Sequence, residues 1–201
     1  MGVGGGGGID PYLRRWMLFV DGENFTIRAQ DIVEKKRITL TEGDFYIRDV
    51  MVWMPKVRAT EGVLYSGARP RIQGHSIRSH YYTSAEGSDD TIRDIKERLW
   101  KLNFHPEVFK KIRKGQKAKG VDIALARDML THAFFNNYDV AVLISGDGDY
   151  VPLVNEVKRL GKVACVAFFE DSGLSPELRL SADMFADLGP SFVSHWQGFG
   201  K

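Results

Sequence analysis

The sequence predicts a three-layer α/β domain with a mainly parallel central sheet and helices on both faces. Two observations support this prediction. The second half of the chain alternates apolar runs of strand length with segments of helical length, and those runs are apolar almost throughout. Strands of that kind are buried on both faces, so each face needs a covering layer of helices. A chain of 201 residues is long enough for one such domain.

The elements are predicted from runs of apolar residues and from the residues that end them. Ser88 is suited to cap a helix, because its hydroxyl accepts a hydrogen bond from a free NH group of the first turn. Gly161 is suited to end one. The predicted strands are residues 16–20, 61–66, 106–112, 139–145 and 162–169, with an extended segment at 78–83, and the predicted helices are 23–36, 88–103, 121–136 and 150–160.

Two segments do not fit this alternation. Residues 1–10 contain five consecutive glycines, which cannot hold a fixed backbone, so we expect a flexible leader there. Residues 38–60 mix aromatic and charged side chains, and we expect a helical or irregular insertion. The remaining chain, residues 11–201, is predicted to be one domain.

The composition restricts location and partners only coarsely. The single cysteine, Cys165, excludes an internal disulfide, lies in an apolar run and suits the cytoplasm. No apolar run approaches the ~18 residues of a membrane span, so no membrane partner is expected. The net charge of +2 predicts no partner by itself, and a homo-oligomer remains an open alternative.

Acidic residues follow two of the predicted strands. Asp21, with Asn24 three residues later, closes the first strand, and Asp147 and Asp149 close the strand at 139–145. Ligands of open parallel sheets bind at the carboxyl ends of the strands. Capping of the next helix explains Asp149 or Asn24 equally well, but it leaves Asp147 unexplained.

Asp122 is a further acid, at the start of a predicted helix. On a helical wheel it falls near the middle of the apolar arc, and we therefore expect it to face the core. A core-facing acid must be neutralised, hydrogen-bonded or bound to metal. If the four aspartates converge, a hard cation relieves their repulsion, and all-oxygen ligands suit Mg²⁺ or Mn²⁺. Such a site can activate water for in-line attack on a phosphodiester.

Basic residues indicate a nucleic-acid partner, although a solvated charged surface explains them too. A run that leads into Gly120 could bind the flanking phosphates, and it contains Lys110, Lys111, Arg113, Lys114, Lys117 and Lys119. A second candidate surface, suited to stacking of single-stranded bases, contains Arg69, Arg71, His75, Arg78, His80, Tyr81 and Tyr82.

Other chemistries lack their motifs. The five histidines show no zinc-type pairing in sequence. An EF-hand beginning at Asp147 would have Lys158 where a glutamate is needed, and phosphate-binding and dinucleotide-binding glycine motifs are missing.

Three ordered motifs, at residues 19–24, 119–122 and 145–150, together with the stretch 181–188, resemble the NYN family of PIN-like nucleases. The resemblance covers residues 16–188, of which 38–60 are atypical. It implies a PIN-like Rossmannoid sheet and Mg²⁺- or Mn²⁺-dependent cleavage of RNA. The leading expectation is therefore a metal-dependent endoribonuclease acting on single-stranded RNA. By motif position it also implies that the active-site residues are Asp21, Asn24, Asp122, Asp147 and Asp149.

Two other functions remain open. A non-catalytic RNA-binding or scaffold module would use the basic run and keep the acids for structure, and salt-sensitive RNA binding without metal-dependent turnover would select it. A phosphatase of the haloacid-dehalogenase type also uses a strand-end aspartate. Such enzymes carry a second aspartate where this chain has Glu23, and a phosphoaspartate trapped at Asp21 would favour this alternative.

Overall fold

A computed structural model describes residues 14–40, 46–47, 50–51, 61–66, 69–111 and 120–198. The expected leader therefore lies outside the described residues, and so do Arg113, Lys114, Lys117 and Lys119. The strands are β1 (Arg14–Asp21), β2 (Tyr46–Ile47), β3 (Val50–Met51), β4 (Glu61–Ser66), β5 (Arg69–Ala85), β6 (His105–Lys110), β7 (Val140–Ile144), β8 (Val163–Phe168) and β9 (Met184–Asp187). The helices are α1 (Gly22–Lys36), α2 (Asp89–Lys101), α3 (Val121–Phe134), α4 (Val151–Arg159), α5 (Pro176–Ser181) and α6 (Gly189–Gly198).

Seven strands form one sheet in the order β4-β5-β1-β7-β8-β9, and β6 also pairs with β5. The β4–β5 pair is antiparallel, whereas the other pairs of this sheet are parallel. The predicted α/β fold with a mainly parallel sheet is therefore confirmed. The carboxyl ends of β1 and β7 are adjacent at the centre of the sheet, because Val20 lies opposite Ile144 in register.

Side chains of β1 alternate between two cores, one on each face of the sheet. Trp16, Leu18 and Val20 pack with α1, α2 and α6, whereas Met17 and Phe19 pack with α3 and α4. Because both faces of β1 are buried, apolar residues occupy both its odd and its even positions. Asp21 is the residue that ends the strand.

Two predicted elements differ from the structure. The expected insertion at residues 38–60 includes a short antiparallel pair, β2 with β3, in which Val50 is fully buried. β5 extends over 17 residues where only 78–83 was predicted. Its first part is rich in polar residues but pairs with β4 along its backbone, and apolar content does not reveal pairing of that kind.

No helix in the described part of the chain is long and apolar enough to cross a membrane.

Candidate active site

The site is centred on Asp21, at the end of β1. This residue is only 4% exposed. One oxygen, Oδ1, accepts a hydrogen bond of 3.1 Å from the backbone NH of Asn24, and this bond caps α1. The other, Oδ2, accepts one of 3.1 Å from the hydroxyl of Ser145, the first residue after β7. Two strand ends and one helix start therefore hold this carboxylate in place.

Asn24 joins the first strand end to the second. Its side-chain Oδ1 accepts a hydrogen bond of 3.0 Å from the backbone NH of Gly146. The cap of α1 is Asp21, so the side chain of Asn24 does not cap that helix. With its oxygen occupied, Asn24 keeps its NH₂ group as a donor.

Asp147 and Asp149 lie in the turn that follows β7. Asp147 is partly buried, donates its backbone NH to the hydroxyl of Ser145 at 3.2 Å, and accepts the NH of Asp149 at 3.0 Å through its side chain. It thus caps a single 3₁₀ turn, Gly148–Tyr150, that precedes α4. Asp149 is exposed. The capping role considered for Asp149 therefore belongs to Asp147.

Asp122 does not face the core, and that expectation is wrong. Its side chain is exposed at the start of α3, whose buried face consists of Val121, Ala124, Leu125, Met129 and Ala133. The wheel misplaced it because two apolar residues of the supposed arc, Ile123 and Phe134, are 73% and 74% exposed. Apolar residues on most sides of a helix leave the direction of the core undefined.

Asp122 is nevertheless part of the site, although it reaches the site from its rim. Its Oδ1 accepts a hydrogen bond of 3.0 Å from the hydroxyl of Tyr150, whose ring is buried. Its charge, like that of Asp147, acts on Asp21. The structure therefore brings Asp21, Asp122 and Asp147 together electrostatically, whereas no contact among the described residues links the side chain of Asp149 to them.

The electrostatics of the site disfavour a charged Asp21. Burial, together with the charges of Asp122 and Asp147, raises the pKa of Asp21 to about 6, although the hydrogen bonds from Asn24 and Ser145 act to lower it. None of the four aspartates forms a salt bridge with any residue in the described ranges. A cation at this place would offset both the desolvation and the repulsion.

The donor set fits a hard divalent cation that retains much of its water. Among the described residues, which include all four aspartates, no three His, Cys, Asp or Glu side chains form a ready-made metal cage. Mg²⁺ does not need such a cage, because it usually binds through one or two carboxylates, several waters and the phosphates of the substrate. Asp21, Asp122 and Asp147 could supply carboxylates of that kind.

The two described lysines of the basic run are both ion-paired. Lys111 lies 2.9 Å from Glu23, whose other oxygen accepts a hydrogen bond of 2.6 Å from Ser84. Lys110 lies 2.6 Å from Asp89 on α2. Lys111 is therefore held beside the first turn of α1, because Glu23 lies in that turn, two residues after Asp21 in the sequence. Contact of this run with phosphates stays a prediction.

The aromatic residues of the second candidate surface are not exposed, so bases cannot stack on them. Tyr81 and Tyr82 are fully buried, and His80 is 9% exposed. Tyr82 packs in the core under α3 and donates its hydroxyl to Asp128 at 2.8 Å. The expectation of base stacking on these rings is wrong, because consecutive residues of a central strand face the two cores and neither faces solvent.

Tyr150 was not identified from the sequence, where it was assigned to the start of a helix. Its hydroxyl joins the turn after β7 to the start of α3. Burial, with the charges of Asp21 and Asp122, raises its pKa far above the usual range, so the hydroxyl stays a donor. A tyrosine directly after an acidic turn is a usable signal, because a buried ring still needs a partner for its hydroxyl.

We expect Tyr150→Phe to weaken binding of Mn²⁺ by about tenfold, because Asp122 loses the donor that holds it while the buried ring remains. The measurement is a titration of the metal-free chain with Mn²⁺. Tyr138→Phe is the matched control, since it removes a buried hydroxyl that donates to the carbonyl of Met129 at 2.8 Å, outside the site. Equal affinities of the two variants for Mn²⁺ would contradict a positioning role for Tyr150.

Comparison with known proteins adds a family and a fold. The NYN domain family profile matches residues 15–189. No curated protein matches the chain. One similar solved structure is that of a protein of unknown function from Vibrio parahaemolyticus. It has a TM-score of 0.57 and 19% sequence identity, and the match covers 90% of this chain and 96% of that one. At that identity the likeness concerns the fold alone.

Proposed function

The chain belongs to the NYN domain family, within the PIN-like nucleases, and from this premise we propose that it is a metal-dependent endoribonuclease acting on single-stranded RNA. The observation that carries the proposal is the buried carboxylate of Asp21. The negative charges of Asp122 and Asp147 raise its pKa, and it has no cationic partner among the described residues. Such a site sits where open parallel sheets bind their ligands.

Each residue of the site has a proposed role. Asp21, Asp122 and Asp147 would hold Mg²⁺ or Mn²⁺, directly or through water, and Asp149, at the exposed edge, would be a further ligand. Ser145 and Asn24 keep Asp21 in its orientation, and Tyr150 does the same for Asp122. The NH₂ group of Asn24 is a donor to a substrate phosphate oxygen. When bound, the cation supplies charge stabilisation for in-line displacement at phosphorus and makes water a better nucleophile.

The test is cleavage of a single-stranded RNA by Asp122→Asn combined with Asp147→Asn. We expect at least a 100-fold loss of Mn²⁺-dependent cleavage, because two of the proposed metal ligands lose their charge. The fold should be preserved, because both carboxylates lie at the rim of the site and asparagine has the same shape as aspartate. Cleavage by the wild type should disappear in EDTA and return with Mn²⁺. Single-stranded DNA and double-stranded RNA, assayed in parallel, identify the substrate class.

The matched control is Asp90→Asn combined with Asp94→Asn. It removes the same two charges from α2, where each aspartate forms an exposed ion pair with an arginine one turn away, and such pairs contribute little. Undiminished cleavage by the site variant would refute the nuclease proposal. Salt-sensitive RNA binding without turnover would instead select the non-catalytic module, and a phosphoaspartate at Asp21 would select the phosphatase.

A further inference from the structure

Three of the five histidines of the chain meet on the α3 side of the sheet. His80 on β5 and His105 on β6 are neighbours in register, and His132 lies in the last turn of α3. The ring centroid of His80 is 5.6 Å from that of His105 and 5.4 Å from that of His132. The three residues are far apart along the chain, so their convergence could not be expected from sequence spacing.

His80 has a nitrogen that the fold does not use. Its Nε2 is buried and has no hydrogen-bond partner among the described residues. The ring is held nearly parallel to those of Phe19 and Tyr82, at 5.5 and 5.9 Å. A buried polar atom without a partner is costly and rare in native proteins, and an ion or water at the site is a common reason for it.

The spacing of the rings suits a shared metal ion. Zinc binds imidazole nitrogen at about 2.0 Å, so two rings on one tetrahedral zinc have centroids on the order of 5 Å apart. Both measured distances are close to this value. With the side chains as they stand, no three His, Cys, Asp or Glu residues in the described part of the chain could hold a metal ion, these three histidines included. The site must therefore form by rotation of the exposed His105 and the partly exposed His132 about the fixed His80.

We propose that His80, His105 and His132 form a zinc site that ties α3 to β5 and β6. The NH₂ group of Asn137 lies 2.9 Å from Nδ1 of His132. The amide must turn so that its oxygen accepts from Nδ1–H before Nε2 of His132 is free for the metal. Arg78 and Asp128 are the nearby charged groups, and they have opposite signs. Water completes a three-histidine site of this type.

The consequence concerns the proposed active site at the other end of α3. Asp122 and His132 are ten residues apart on this helix, which is about 15 Å. A zinc ion at His132 would fix the far end of the helix that carries Asp122. The zinc site does not depend on the nuclease proposal, because it is formed by different residues and its test does not require cleavage.

The experiment is titration of the metal-free full chain with Zn²⁺ in excess Mg²⁺, followed by calorimetry and by thermal unfolding. We expect one Zn²⁺ per chain and a higher unfolding temperature. His105→Ala and His132→Ala should each weaken binding by at least about tenfold. The matched control is His75→Ala, an exposed histidine on the same strand, which should bind zinc as the wild type does. The Asp122→Asn, Asp147→Asn variant should also keep its zinc.

A second measurement uses Co²⁺ in place of Zn²⁺. The wild type should give the visible absorption of a low-coordinate cobalt site, and His132→Ala should lose it. The proposal is overturned if the wild type gains no stability from Zn²⁺, or if both cluster variants bind as tightly as the wild type. It is also overturned if zinc binding is lost in the aspartate variant and kept in His105→Ala, since the ion would then belong to the aspartates.

Discussion

Replacing Asp21 with asparagine should reduce cleavage on the order of 1000-fold and at the same time stabilise the metal-free protein. The loss of activity follows from removal of the buried carboxylate that the site is built around. The gain in stability follows because the folded protein holds this carboxylate away from water. Asparagine keeps the cap of α1 and an acceptor for the NH of Asn24, and its NH₂ group would donate to the hydroxyl of Ser145, which reverses the direction of that hydrogen bond.

The stability gain should depend on pH in a defined direction. The pKa of Asp21 is about 6 in the folded protein and close to 3.8 in the unfolded chain. The folded state therefore binds this proton more tightly, and the free energy of unfolding falls as pH rises from about 4 to about 6. Asparagine does not titrate, so the free energy of unfolding of Asp21→Asn does not contain this pH-dependent fall. We expect the variant to match the wild type near pH 4 and to exceed it by about 2 kcal/mol at pH 7.

The comparison must be made between variants, because a second buried group acts in the same pH range. Burial lowers the pKa of His80 to about 4, so protonation of His80 destabilises the fold as pH falls below about 6.5. The difference between Asp21→Asn and the wild type removes this contribution. Asp31→Asn is the control: its partly exposed carboxylate pairs with Arg28 on α1, and the substitution should change cleavage and stability little. A destabilised Asp21→Asn at pH 7 would contradict this account.

Gly146→Ala should destabilise the protein by about 3 kcal/mol or more, and it should also disrupt the site. A Cβ atom at residue 146 would lie 2.3 Å from the carbonyl oxygen of Gly173 and 2.5 Å from the ring of Phe168. Phe168 is fully buried and the other contact is backbone, so neither can move away cheaply. The shift needed to relieve the clash would also break the hydrogen bond from Gly146 to Asn24.

Gly148→Ala, in the same turn, is the matched control. A Cβ atom there would meet only the side chain of Ser175, with the hydroxyl at 2.9 Å, and that side chain can turn aside if it gives up its cap on α5. We expect a cost of about 1 kcal/mol or less. Urea unfolding of both variants, with unchanged m-values, measures the difference. Equal midpoints would show that the close packing at Gly146 does not limit stability.

The sequence by itself determined the buried central strands, the acids at their ends and the family. Strands that are apolar on both sides can only be buried on both sides, so β1, β7 and β8 were recognisable from residue type alone. The acids that follow β1 and β7 had to lie near one another once those strands were parallel neighbours. The ordered motifs supplied the resemblance that the family match over residues 15–189 confirms.

Only the tertiary structure decided which side chains contact one another. The direction of Asp122 depends on what packs against α3, and that helix carries apolar residues on its exposed side as well. The hydroxyl of Tyr150, the side-chain oxygen of Asn24 and the three converging histidines have partners from distant parts of the chain. The periodicity of apolar residues shows on which face of its own helix or strand a residue lies. It contains no information on which other element supplies the neighbour, and the candidate site consists of such neighbours.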